Sequence, residues 1–119
     1  MKLIKFAIAG LALSSTVSLA SDCQAPAKPE LPDGASASME QMLEGQKAVK
    51  AFQTSLMEYL KCLEPDLAAA QTDAEAGTEG AADTYKSIEE TYNAGVSMEE
   101  EVAGQFNTEI REYKAANPS

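Results

Sequence analysis

The sequence predicts an all-α protein: an antiparallel helical hairpin with an extended, proline-rich N-terminal segment tied back onto it by a disulfide. Three observations predict this. Two long stretches repeat their apolar residues at spacings of three and four. A lead-in punctuated by Pro26, Pro29 and Pro32 has no room for a helix. Two cysteines, Cys23 and Cys62, sit in a chain that opens with an export signal.

The export signal comes first. Lys2 and Lys5 precede an apolar run from Phe6 to Leu13, and Ser18-Leu19-Ala20 is a small-x-small cleavage site, so residues 1–20 read as a signal peptide cut after Ala20. The run is well short of the roughly 20 apolar residues a membrane span requires. Cys23 follows Asp22, whereas a lipoprotein signal needs a small residue there. The expected location is the periplasm, with no membrane contact after cleavage.

Of 119 residues, 99 then remain, enough for one small domain. Removing residues 1–20 takes two of the nine basic residues and none of the 19 acidic ones, so the net charge moves from −10 to −12. Such a surface repels nucleic acid and anionic lipid. Its ordinary reading is a solvated coat. In an oxidising compartment the two cysteines pair by default. Closing a loop of about 40 residues between them contributes on the order of 4 kcal/mol.

The elements follow in order. Residues 21–37 are extended, ending in the turn-like Asp33-Gly34. A helix starts at Ser38, because Ser38 with Gln41 three residues on forms a capping box and Glu40 favours the positive end of the helix dipole. Met42, Val49, Phe52, Leu56, Tyr59 and Leu63 then recur on one stripe. Pro65 removes the amide that would bond the Lys61 carbonyl, which predicts a kinked helix running on through the alanine-rich 67–71 to residue 76. Residues 77–80, Gly-Thr-Glu-Gly, form the turn of a helical domain covering 38–119. A second stripe, Tyr85, Ile88, Tyr92, Val102, Phe106, Ile110 and Tyr113, predicts a helix over 81–116. A break near Asn93-Ala94-Gly95 competes with continuity there, since Ser97-Met98-Glu99-Glu100 is also a capping-box pattern.

Lengths set the geometry. At 1.5 Å per residue the two helices are roughly 58 and 54 Å long, matched arms of a hairpin. From Ser38 to Cys62 the first helix climbs about 36 Å, and the proline-rich segment covers about 45 Å. A Cys23–Cys62 bridge therefore lays the segment back along the first helix as a rail. The seam is completed by this rail or, alternatively, by a second hairpin in a four-helix bundle. The rail is favoured by the length match.

Cys23 with Pro26 and Pro29, Leu31-Pro32-Asp33-Gly34, Lys50-Ala51-Phe52, Tyr59-Leu60-Lys61-Cys62, Tyr92-Asn93-Ala94, Phe106-Asn107 and Ile110-Arg111-Glu112-Tyr113-Lys114 resemble a family of small exported helical proteins of Gram-negative bacteria. The family has a Cys-x2-Pro-x2-Pro lead segment and a second cysteine near the end of the first helix. The resemblance covers most of the mature chain and implies the fold, with no active site attached. Pro65 and Gly95 depart from the family's alanine-rich pattern, where straight helices are least expected.

Chemistry-bearing groups are sparse. With no histidine and no cysteine cluster, zinc and haem lack ligands, and no cofactor is expected. Met39 and Met42 have the spacing of a Cu(I) thioether pair, but Met42 lies on the core stripe; Met57 and Met98 do not extend the motif. Glu99, Glu100 and Glu101 with Glu89 and Glu90 lack the alternating oxygen ligands and glycine of a calcium loop. Serines and threonines have no base to activate them, and a two-helix chain has no obvious shielded cleft for carboxylate catalysis. Tyr59, Tyr85, Tyr92 and Tyr113 read as seam residues with hydroxyls at the edge, and Asn93 and Asn107 as local caps or bonds between helices. The expectation is a non-catalytic interaction or structural protein with a protein partner or a homodimer through the seam. The alternatives are a periplasmic chaperone or client-binding protein and a weak cation binder.

Overall fold

The computed structural model describes residues 23–119; the signal-peptide reading lies outside them. Two helices, α1 (Met39–Glu75) and α2 (Ala81–Ala116), pack along each other as a hairpin. The capping box forms as the sequence predicts: the Gln41 amide donates to Ser38 Oγ at 3.1 Å, and the Ser38 amide donates to Gln41 Oε1 at 2.8 Å. α1 closes in a Schellman motif. The Thr78 amide donates to the Asp73 carbonyl and the Gly77 amide to the Ala74 carbonyl, with Gly77 at φ 81°. Gly80, also at φ 81°, opens α2. The two left-handed glycines that bracket the turn are what reverses the chain.

Both helices run without a break. α1 passes through Pro65, and because Lys61 and Pro65 are both exposed, the carbonyl freed by the missing amide is on the side where water replaces the bond. α2 passes through Gly95, so the competing break at 93–95 does not occur. Gly95 is buried, and a Cβ there would stand 2.9 Å from Leu60 Cδ2 and 3.5 Å from Tyr59 Cε2. The glycine is where the helices approach closely.

The rail is present. Cys23 is bonded to Cys62, with a Cα–Cα distance of 5.6 Å, and residues 23–37 lie back along α1. The Asp33 turn closes through the Ser36 and Ala37 amides, which donate to the Asp33 carbonyl, and through its own carboxylate, which accepts from the Ala35 amide at 3.1 Å. The rail touches both helices. Pro32 lies over Gly45, where a Cβ would come within 2.6 Å of the proline ring. Lys28 pairs with Glu101 at 3.0 Å on α2. Gly34 sits against the α2 backbone at Glu109 and Tyr113.

The core is concentrated under the rail. Met42, Val49, Phe52 and Leu56 of α1 bury against Val102 and Phe106 of α2, with Leu31 and Ala37 of the rail and Tyr59, Met98, Ile110 and Tyr113 at the margin. Each large side chain buried there contributes roughly 1.5–3 kcal/mol. Toward the turn the seam thins: Leu63, Ala70 and Ala81 are buried, while Tyr85, Ile88 and Tyr92 are only half-buried. The second stripe is therefore less deeply covered than its periodicity predicts, because the facing stretch of α1 is alanine-rich and no rail reaches it.

Candidate functional site

At about 100° per residue, the α1 positions near the rail, Gln41, Glu44, Ala48, Ser55 and Cys62, occupy one flank of the helix. The opposite flank is bare. Met39, Leu43 and Met57, the large exposed apolar residues of the described chain, all fall on it, at 58%, 51% and 62% exposure. Beside Met57 a groove of about 440 Å³ opens between the helices, lined by Gln53, Leu56, Met57, Leu60, Val96 and Glu99. Its floor is Leu56, which also belongs to the core. Gln53 Nε2 donates across it to Glu99 Oε2 at 3.0 Å, joining α1 to α2.

On the rail side a second cleft, about 600 Å³, runs past Leu31, Pro32, Gln41, Glu44 and Ala48. Near the same end Asp33, Glu109 and Glu112 bring three carboxylates within 4.8 Å of one another. Glu109 is anchored there by the Gly34 amide, which donates to its Oε1 at 2.8 Å. The Glu112 carboxyl is held above its ordinary range, first by the neighbouring Glu109 charge, then by desolvation, a hydrogen bond with Glu109 and the Asp33 charge, against a smaller opposing effect of Arg111.

The residues singled out in the sequence sort differently. The methionine pair is divided: Met42 is in the core and Met39 faces solvent. Glu89, Glu90, Glu99, Glu100 and Glu101 of α2 do not converge. Glu101 pairs with Lys28, Glu99 accepts from Gln53, and Glu89, Glu90 and Glu100 are exposed. Tyr59 and Tyr113 border the core as expected. Asn93 and Asn107 are exposed, and the side-chain bridge between helices is made by Gln53 instead. The Asp33-Glu109-Glu112 cluster was not legible in the sequence, since it joins a turn to a helix 76 residues on; the i, i+3 pair on α2 was the one available signal. Among the described residues no buried side chain is polar or charged, and no helix is long and apolar enough to cross a membrane. No family model matches the chain, and no curated protein or solved structure matches it either.

Proposed function

We infer that this is an exported, periplasmic, non-catalytic helical protein that acts by presenting a surface, and that the surface is the bare flank of α1 with its adjoining groove. The observation that carries the reading is the segregation of Met39, Leu43 and Met57 onto one side of one helix. The rail covers the other edge of the seam, so the exposed apolar residues are not a leftover of an incomplete fold. Exposed large apolar residues gathered on one flank, Met39 and Leu43 at one end and Met57 at the other with Gln46, Lys50 and Gln53 between them, are the kind of surface that contact sites use. Among the described residues the core holds no buried acid, base or nucleophile, and this favours binding over chemistry.

A client-binding role is the second reading, favoured by the methionines on the flank, whose flexible side chains adapt to varied apolar partners. Suppression of aggregation of an unfolded test protein separates the two. A dedicated interaction protein leaves aggregation unchanged at equimolar ratio, whereas a client binder suppresses it and loses the effect in Met57→Glu. If neither aggregation nor any association responds to Met57→Glu, the flank is not the working surface and the first reading fails.

A further inference from the structure

The bare flank and the half-buried edge of the groove beside it, where Gln53 and Leu60 lie, together have an internal order. Met39, Leu43, Gln46, Lys50, Gln53, Met57 and Leu60 are spaced alternately four and three apart, the spacing of a coiled-coil seam, and they fall within an arc of about 100° of α1. In residue class, and in position to within one residue, the stripe also reads the same in both directions about Lys50. Two apolar residues stand at each end, a glutamine lies inside each pair, and Lys50 is at the centre. We propose that its occupant is a second copy of this chain, packed antiparallel across α1 with the two-fold axis at Lys50.

In that register Met39 of one copy meets Leu60 of the other, Leu43 meets Met57, Gln46 meets Gln53, and the two Lys50 side chains flank the axis. A two-fold interface requires this self-complementarity, because every contact between residues i and j is made twice. The antiparallel sense also opposes the two helix dipoles. Charge agrees. Lys50 is the one charged residue of the stripe and Glu99 the one charged residue of the groove beside it. With the axis at Lys50, each lysine lies about one helical turn from the Gln53–Glu99 bridge of the other copy. The contact is thus balanced in charge although the chain carries −10. A single lysine at a seam position also fixes register at some cost in affinity.

The area is adequate for a modest dimer. The stripe is about 32 Å long, and two helices side by side are roughly 20 Å wide, which covers on the order of 1,200 Å² in total, the lower end of specific interfaces. The rails lie on the outer faces of such a four-helix assembly, so rail and dimer coexist.

This inference rests on the flank being the working surface, and the test separates the two. Sedimentation equilibrium of the oxidised chain from about 1 µM to 1 mM should show a reversible monomer–dimer equilibrium. Leu43→Glu and Met57→Glu, both at exposed positions, should keep the helical circular dichroism and weaken the dimer at least about 100-fold, while Lys50→Leu should tighten it about 10-fold or more. For register, a short bis-maleimide should link Leu43→Cys to Met57→Cys in an equimolar mixture, and Lys50→Cys to itself. A chain that stays monomeric at the highest concentration, a dimer indifferent to Leu43→Glu, or Leu43→Cys linking to itself would overturn the inference. A monomer whose flank binds anionic vesicles or basic amphipathic peptides would overturn it while leaving the interaction reading in place.

Discussion

The backbone amide of Gly34 donates to the side chain of Glu109 at 2.8 Å, joining the tip of the rail to α2 across 75 residues of sequence. The contact is possible only because residue 34 has no side chain: a Cβ there would run into the Glu109 carbonyl and stand 2.9 Å from the Tyr113 nitrogen. Both neighbours are helix backbone and cannot yield. Gly34→Ala should therefore lift the rail tip and destabilise the fold by about 1–3 kcal/mol. A denaturant melt within about 0.5 kcal/mol of wild type would show that the tip is not packed as described.

Phe52 and Phe106 face each other's helices in the core and are 4% and 8% exposed. Truncation of either to alanine should cost about 3 kcal/mol or somewhat less, because the core is thin and partly collapses around the cavity. Denaturant midpoints that barely move would place these rings in solvent.

The disulfide closes the rail against α1 over a separation of 39 residues. Replacing both cysteines by serine should lower stability by on the order of 4 kcal/mol, chiefly by freeing the unfolded chain. Thiol counting on the unreduced protein should find none free. A reducible dimer band would instead assign the cysteines to assembly.

The carboxylates at the rail tip predict a pH dependence. A carboxyl whose pKa is raised on folding binds its proton more tightly in the folded state, so its charged form opposes folding at neutral pH and the penalty fades as pH falls toward its ordinary value of 4.5. Glu112→Gln should thus melt higher than wild type at pH 7, by a margin that shrinks as pH falls from neutrality toward 4.5 and is gone below it. Added salt should shrink it as well, since the group is exposed. A margin independent of pH would mean that the like charges do not meet at this corner.

The hairpin was legible because its signals are local. Ser38 and Gln41 cap α1, a repeat of three and four marks each inner stripe, and Gly77 and Gly80 allow the reversal. The rail followed from a length comparison between a proline-rich segment and the climb to Cys62. Gly45 and Gly95 were not legible as contact points, because a glycine within a helix reads as a weakness until the ring or side chain that fills its place is known. The bare flank was hidden for a related reason. Met39, Leu43 and Met57 share one face of α1 but stand 4 and 14 residues apart, and the inner stripe beginning at Met42 is more apolar and masks them. The acidic corner depends on how the rail docks, which no local pattern encodes.

The most direct test of the rail as a third element of the fold is amide hydrogen exchange on the oxidised and reduced protein. Oxidised, the covered half of the hairpin, residues 42–56 and 98–113, should exchange slowest, and the turn end, residues 70–90, fastest. Reduction should free residues 23–37 and raise exchange in the covered half while leaving the turn end nearly unchanged. Protection that is uniform along both helices, or that ignores the state of the disulfide, would contradict the account.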